Sequence, residues 1–465
     1  MRPGVGHDGG MKPVHDVSTI RVAEEALMAQ MAQGALMQRA ATGLAATTAK
    51  LIKEHFGRIS GIRLCVVAGS GNNGGDALFA ASQLARRGVA VDIVATADTL
   101  HPAGLKAALR EGAAVRQARG ADVVLDAVVG IGGSGPLRAN AVAIRDTVHA
   151  ELTIAVDLPS GLQPDTGEVP GEVWRADHTV TFGTLKPGVV LRPDVCGQVH
   201  LVDIGLAATL PPATVVVVER HDAARLFPRP GFRDNKYTRG VVSIEAGSQK
   251  YPGAGQLCTA GARHSGVGMV RSAVGGFPDV VASAGRTDAY VVGPGLADEG
   301  RLQKAVDVAL GSGKPVVLDA EALTKITAGP VVITPHEGEF ARLGFTLGED
   351  RIAAVRDAAA HLGVVVLLKG SVTVVATPDG HVFINTHSSP NLAAAGSGDV
   401  LSGLLGGMLA RHFVGTEPDL RQIAQIAASA ALVHGQAGRL ALFPATSVDI
   451  ADKVAQAVAW ASDGR

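Results

Sequence analysis

The residues best suited to chemistry in this chain are grouped at Asn391, Gly396, Ser397, Gly398 and Asp399. Three small residues precede an acid, and Val400, Leu401, Leu404, Leu405 and Met408 follow it at helical spacing. The pattern predicts a tight glycine-rich loop that feeds a helix N-terminus, where free backbone N–H groups make an anion site. An acid beside bound phosphates is costly unless it has a task, and taking the proton from an attacking hydroxyl is such a task. The same residues admit a plainer reading, in which Asp399 caps the helix and the glycines only turn the chain.

Other groups add to this one. Lys369, Gly370, Ser371, Val372 and Thr373 follow an apolar strand predicted over 364–368. A lysine with small hydroxyl residues suits phosphate or adenylate contacts; the alternative is a surface lysine in a hairpin. His336 lies in a Thr334-Pro335-His336-Glu337 turn, open either to a structural role or to a substrate contact near Asp399. Earlier in the chain, the strand Arg63–Ala68 runs into Gly69-Ser70-Gly71-Asn72-Asn73-Gly74-Gly75-Asp76, and a helical pattern follows. Strand, glycine-rich turn and helix cradle phosphates in α/β folds. The turn matches neither the dinucleotide fingerprint nor the P-loop.

Two further strands end in loops of the same kind. One, over 121–126, leads to Gly130-Ile131-Gly132-Gly133-Ser134-Gly135-Pro136, and Leu152–Val156 leads to Asp157-Leu158-Pro159-Ser160-Gly161. In an open parallel sheet, ligands bind at the carboxyl ends of strands, so the convergence of three such ends is the signal. Asp76, Asp126 and Asp157 all fall there, although an acid at a helix start is often only a cap. Asn73, Asp126 and Ser160 offer oxygen ligands of low total charge. Hard cations take oxygen, and a single carboxylate with neutral oxygens suits a monovalent ion better than a divalent one.

The elements that must position these groups follow from composition and pattern. A chain of 465 residues exceeds one ordinary core, so two or three domains are expected. Apolar residues make up 47% and charged residues 18%, a globular balance. Aromatics reach only 3%, which leaves Ala, Val and Gly to fill the closely packed layers of an α/β fold. Residues 17–55 read as helical, and strands are expected over 89–95, 179–182 and 199–202. A proline-containing break over 207–212 marks the boundary, giving domains 17–210 and 211–465. Residues 1–16 read as a loose tail, within which Met11 is a candidate natural start. Strands over 240–244, 289–292, 315–318, 331–334 and 364–368 alternate with helical segments in a second layered domain. The net charge of −1 excludes a nucleic-acid footprint and attraction to an anionic membrane. Cys65, Cys196 and Cys258 form no metal spacing and no disulfide framework, as expected in a reducing cytoplasm. No apolar run reaches the roughly 18 residues of a spanning helix.

The motifs also carry a resemblance. The Gly69 to Asp76 turn, with Val156-Asp157-Leu158-Pro159-Ser160-Gly161, resembles the NAD(P)H-hydrate epimerase family. Gly293-Pro294-Gly295, Thr334-Pro335-His336-Glu337-Gly338-Glu339, Lys369-Gly370 and Gly396-Ser397-Gly398-Asp399 resemble the nucleotide-dependent NAD(P)H-hydrate dehydratase family, a branch of the ribokinase-like fold. Their order is similar to that of fused bacterial members, from about Val17 to the C-terminus. The resemblance implies a Rossmann-like domain followed by a ribokinase-like domain. The first would interconvert R and S epimers of hydrated NADH and NADPH. The second would use ADP to phosphorylate the hydroxyl of the S form and eliminate phosphate, leaving NAD(P)H, AMP and phosphate.

It also implies roles. Asp157 and Asp399 would be catalytic. Asn72, Asn73, Gly74, Gly75, Asp76, Gly130 through Pro136 and Asp157 would bind the hydrate in the first domain, and Ala254, Gly295, His336 and Asp399 in the second. Lys369, Gly370, Ser371, Val372, Thr373, Asn391, Gly396, Ser397 and Gly398 would hold the nucleotide, with Mg²⁺ on its phosphates. Asn73, Asp126 and Ser160 would hold K⁺. A cytoplasmic homo-oligomer is expected. Three positions depart from the pattern: Ser397 replaces a frequent Thr, Ile131 replaces Thr between glycines, and Glu245-Ala246-Gly247-Ser248 replaces Gly-Gly-Ser. Two competing readings remain: a kinase of a small hydroxylated metabolite, and a first domain that only senses nucleotides or binds a partner.

Overall fold

The computed structural model describes residues 10–463. The chain forms two compact units, one of residues 13–213 and the other of residues 214–465 together with the described residues before Pro13. Residues 1–9 of the expected tail lie outside the described residues, but order begins well before Val17. Lys12–Val14 is a strand, β1. His15 is buried, with Nδ1 2.9 Å from the Thr184 hydroxyl, and the Asp16 carboxylate accepts from the Thr19 N–H to cap the first helix. The helical stretch over 17–55 is two helices, α1 (Val17–Met28) and α2 (Ala35–Phe56), parted by Gly34 in a left-handed conformation at φ 78°. Such a residue ends regular helix and favours glycine.

The first unit is built on seven described strands: β2 (Arg63–Ala68), β3 (Ala90–Ala95), β4 (Ala114–Val115), β5 (Val123–Ala127), β6 (Leu152–Val156), β7 (His178–Phe182) and β8 (Gln198–Val202). They pair in the order β4-β3-β2-β5-β6-β7-β8, all parallel. Burial on both faces explains why β2 and β5 read as continuous apolar runs. The chain leaves β2 toward one edge and returns at β5 toward the other. The point of reversal therefore lies between β2 and β5, where an open sheet leaves a crevice. The helix α3 (Asn72–Ala85) starts directly after β2. The glycine-rich turn is thus shorter than the sequence indicated, and Asn72 through Asp76 form the first turns of α3. Its glycines permit contact: a Cβ on Gly74 would lie 2.2 Å from the Gly69 carbonyl oxygen, and one on Gly69 would lie 2.1 Å from that of Val128.

The second unit contains β9 (Val215–Val217), β10 (Val241–Glu245), β11 (Met269–Ser272), β12 (Ala289–Val292), β13 (Val316–Leu318), β14 (Val331–Ile333), β15 (Val365–Leu368), β16 (Thr373–Ala376) and β17 (Val382–Asn385). They run in the order β9-β17-β16-β15-β14-β13-β12-β10-β11. From β15 through to β11 the pairs are parallel, whereas β15-β16 and β16-β17 are antiparallel. The sequence reading did not place β9, β11, β16 or β17.

Three helices of this unit matter below: α4 (Pro252–Arg263), α5 (Ser397–His412) and α6 (Leu420–Leu440). Helices α4 and α5 meet backbone to backbone. A Cβ on Gly403 would lie 1.8 Å from the Cys258 carbonyl oxygen, and one on Gly261 2.2 Å from that of Val400. Small residues thus bring the start of α5 against α4. The sequence contains two tryptophans. Trp174 is buried in the first unit. Trp460 belongs to the second, where it stacks on His387 with ring centroids 5.1 Å apart and carries the Arg220 guanidinium 4.9 Å from its ring centroid.

Candidate active sites

The crevice of the first unit is a cavity of about 1380 Å³, lined by Asn72, Asn73, Asp76, Asp157 and the whole stretch from Gly130 to Pro136. Gly74 and Gly75, expected among the binding residues, do not line it; they are buried where α3 packs. Asp157 follows β6 in a left-handed conformation at φ 69°. A non-glycine residue held there carries strain of about 1–3 kcal/mol and persists only when its surroundings fix it.

Those surroundings are specific. Lys186 donates from Nζ to Asp157 Oδ1 at 2.7 Å, to the Thr181 hydroxyl at 2.8 Å and to the Phe182 carbonyl at 3.0 Å. The Ile131 N–H donates to Asp157 Oδ2 at 3.1 Å. The departure at Ile131 is therefore harmless to this contact, because the backbone makes it. Both members of the lysine–aspartate pair are buried, their side chains being 2% and 9% exposed. Glu24 of α1 also lines the cavity, and burial raises its carboxyl pKa, with Lys186 opposing and Asp157 adding to the shift.

Of the expected cation ligands, Asp126 and Ser160 are bonded to one another, and Asn73 lines the cavity. Asp126 is fully buried. Its Oδ1 accepts from the Ser160 hydroxyl at 2.6 Å and from the Val128 N–H at 3.3 Å, and its Oδ2 accepts from the Ser160 N–H at 2.8 Å. Burial pushes its pKa up to about 6 despite those donors. A carboxylate offers about four lone-pair sites, so Oδ2 retains one for a cation. Asn73 lies alongside: a Cβ on Gly130 would be 3.1 Å from its Oδ1, and its buried Nδ2 has no hydrogen-bond partner. One buried carboxylate, a hydroxyl oxygen and the Asn73 amide oxygen are a donor set of low charge that suits a monovalent cation. Among the described residues, no group of three or more His, Cys, Asp or Glu could hold a metal.

In the second unit, Asp399 stands in the first turn of α5. The N-cap is Gly396, left-handed at φ 88°, and no side chain caps this helix. Asp399 is therefore not a cap. Burial raises its pKa to about 7; Asp319 adds to the shift and Lys369 opposes it. The Lys369 ammonium lies 3.1 Å from Asp319 Oδ1 and 3.8 Å from Glu339 Oε2. Burial disfavours its charge, but Asp319 and Glu339 outweigh burial and hold its pKa above the ordinary value. Ser402 of α5 donates to Asp319 Oδ2 at 2.7 Å, tying the helix to the same acid. A Cβ on Gly398 would sit 3.2 Å from Lys369 Nζ. The loop and the lysine, distant in sequence, are thus neighbours at the start of α5.

The remaining expected residues divide. Ala254 on α4 and Gly295 after β12 are in contact, since a Cβ on Gly295 would lie 2.6 Å from that of Ala254. His336 caps a short helix: its Nδ1 accepts from the Gly338 N–H at 3.0 Å and the Glu339 N–H at 3.2 Å. An Nδ1 that accepts places the proton of a neutral ring on Nε2, which lies 3.5 Å from Glu339 Oε2. Lys369 through Thr373 do form a hairpin between β15 and β16, but Lys369 is an ion-pair partner and not a free surface lysine. Gly370 and Ser371 are exposed, whereas Val372 and Thr373 are buried and Thr373 already belongs to β16. Asn391 uses both amide hydrogens on the Gly438 and Ala441 carbonyls, at 3.0 and 2.9 Å, so it fastens the end of α6 and keeps only Oδ1 for a nucleotide. The Ser397 hydroxyl is bonded to the Leu392 carbonyl at 2.6 Å, and its N–H to that of Ala394, so its retained hydroxyl serves the loop.

Gly398→Ala is expected to displace Lys369 and weaken binding of a polyphosphate, probed with ADP by calorimetry, at least about tenfold. That is the loss of one charge-assisted hydrogen bond at roughly 1.5–3 kcal/mol. Parent affinity in this variant would separate the loop from the anion site.

Reasoning from sequence missed Lys186, Thr181 and Glu24 in the first unit and Asp319 and Glu339 in the second. Lys186 follows the predicted strand over 179–182, and Asp319 directly ends another, so the strand-end rule applied throughout marks both as candidates without saying what they pair with. Glu24 sits on an amphipathic helix with no such mark.

A family model described as NAD(P)H-hydrate dehydratase matches residues 242–458, and one described as YjeF-related protein N-terminus matches residues 33–188. The bifunctional NAD(P)H-hydrate repair enzyme of Mycobacterium leprae is 44% identical over 427 residues, covering 86% of this chain and 89% of the relative. That of Synechocystis is 34% identical over 474 residues, covering 88% and 87%. A solved ADP/ATP-dependent NAD(P)H-hydrate dehydratase from Bacillus subtilis, co-crystallised with ATP and Mg²⁺, is 30% identical. It covers 51% of this chain and 96% of its own, with a TM-score of 0.46.

Proposed function

This chain belongs to the bifunctional NAD(P)H-hydrate repair enzyme family, and from that membership we propose how its two units divide the repair. The chain interconverts the R and S epimers of hydrated NADH and NADPH and dehydrates the S form at the expense of a nucleotide. The first unit is the epimerase, working in the cavity at Asp157. The second is the dehydratase, with ADP as co-substrate.

The observation that carries the reading is Asp399 with its neighbours. It is an uncapping acid whose pKa is raised to about 7, on the helix whose Gly398 adjoins Lys369. An acid titrating near neutrality takes a proton from a substrate hydroxyl, and Lys369 with the loop N–H groups stabilises the phosphoryl charge in transit. Phosphate then leaves and the ring double bond is restored. Mg²⁺ reaches this site on the nucleotide's phosphates, as is usual for a small cation that keeps several waters. A kinase of another hydroxylated metabolite could use the same loop; the attached first unit favours repair, because a plain kinase has no use for it.

The test is to incubate the protein with mixed epimers of hydrated NADH and ADP and follow the absorbance of the reduced ring. Recovery of both epimers is expected. Recovery of the S form alone would remove the epimerase assignment, and a stable phosphorylated product without NADH would favour the kinase.

K⁺ held by Asn73, Asp126 and Ser160 is part of the proposal, supported by the lone pair that the donors to Asp126 leave open. It would supply a fixed positive charge beside the cavity. Crystals soaked in Rb⁺ are expected to show an anomalous peak among these three side chains; a well-occupied peak elsewhere would sink the assignment. A cytoplasmic homo-oligomer remains our reading of the assembly. Among the described residues, no helix is long and apolar enough to cross a membrane.

A further inference from the structure

The epimerase cavity contains a second acid, expected above to bind the hydrate but given no part in the chemistry. Asp76 lies on α3 and lines the cavity together with Asp157. Its Oδ1 is buried and has no hydrogen-bond partner. Asp157, by contrast, is paired with the Lys186 ammonium and receives the Ile131 N–H. Two carboxyl groups thus share one cavity in opposite settings, one clamped by a cation and donors, the other bare. A cavity that holds its titratable pairs apart in this way divides acid from base.

The reaction needs both. Hydration of an enamine places the hydroxyl on the carbon beside the ring nitrogen. Inverting that carbon without redox chemistry takes cleavage of either its C–O or its C–N bond, and loss of the hydroxyl with return of water on the other face is the route that an acid and a base in one cavity serve. We propose that Asp76 is the general acid of epimerisation and Asp157 its base. The Asp76 proton passes to the ring hydroxyl, the C–O bond breaks, and water departs as the nitrogen lone pair forms a C=N bond. Water then adds to the opposite face, and its proton goes to Asp157. The two carboxyls recover their starting states by exchanging one proton through solvent, so atoms and charge balance.

The electrostatics agree with the geometry. Burial raises the Asp76 pKa well above the ordinary value, and the charges of Asp157 and Glu24 raise it further. The other ionisable groups lining the cavity are Arg21 and Glu24 on α1, His101, Arg138 and Lys186. This inference rests on the epimerase assignment above.

The experiment uses the full chain without ADP, so that dehydration is silent, and R-hydrate in ¹⁸O-labelled water. Each R-to-S conversion by the parent should carry one ¹⁸O into the hydroxyl. Asp76→Asn should lower the conversion about 10²–10⁴-fold, the usual worth of a positioned acid. S product formed without label, or Asp76→Asn converting at the parent rate, would overturn the proposal while leaving the epimerase assignment intact. A parent that interconverts nothing would overturn both. The label measurement tests C–O cleavage without any variant, and Asp76→Glu, which keeps the carboxyl, should retain labelled conversion; a folded Asp76→Glu as slow as Asp76→Asn would overturn the role of Asp76.

Discussion

Asp399→Asn is expected to lower the rate of S-hydrate dehydration by about 10²–10⁴-fold, the contribution of a positioned general base. The amide keeps the shape of the side chain but cannot take the proton. ADP should bind at least as well as to the parent, because a negative charge near the phosphates has been removed. R-to-S conversion should be unchanged, since Asp157 and its cavity belong to the other unit. In the parent, the base must be ionised, so kcat/KM for dehydration should rise with pH through about 7 and then level. Stability moves the other way. A carboxyl whose folded pKa lies above its unfolded 3.8 favours the folded state when protonated, so the parent should lose stability relative to the variant as pH rises from about 4 to about 7. A folded variant that binds ADP and dehydrates at near-parent rate would end the assignment of Asp399 as base.

The second large effect is expected at Lys186. Lys186→Met keeps most of the side-chain volume but leaves Asp157 buried without its cation. Removing one partner of a buried pair typically costs about 3–5 kcal/mol, because the surviving charge is uncompensated. Denaturant unfolding of the first unit should show a loss of that size, and R-to-S conversion should fall with it. Dehydration of supplied S-hydrate should persist, because the second unit keeps its own lysine at position 369. Unaltered unfolding together with full epimerase activity would show that the Lys186–Asp157 contact, though only 2.7 Å long, is idle.

How much of this was visible in the sequence depends on distance along the chain. Gly396 to Asp399, the Gly130 to Pro136 loop and Asp157 could be read because each motif lies next to the strand or helix that positions it. The two-layered α/β domains followed from alternating apolar strands and helical segments. The partners of these motifs could not be read in the same way. Nothing local says that Lys186 reaches back across 29 positions to Asp157, or that Lys369 meets Asp319 across 50. Those meetings are set by strand order, which brings separated strand ends side by side. The start of α3 was misjudged for a related reason. Glycines at 74 and 75 read as a turn on propensity, whereas both lie in α3, where Gly74 packs on the Gly69 carbonyl with no room for a Cβ and Gly75 packs close to His101. Asn391 and Val372 are nucleotide residues by resemblance, and what the sequence did not show is that the Asn391 amide hydrogens are bound at the end of α6 and that the Val372 side chain is buried.

The two tryptophans give the molecule a built-in optical label on each half. Trp174 is enclosed in the first unit, where its emission reports an apolar setting, while Trp460 is stacked on an imidazole beneath a guanidinium, neighbours that quench indole fluorescence. With three tyrosines in the whole chain, little else emits. Melting of the epimerase half should therefore appear as a red shift, and melting of the dehydratase half as brightening, so one cuvette can follow two unfolding events by colour and by intensity.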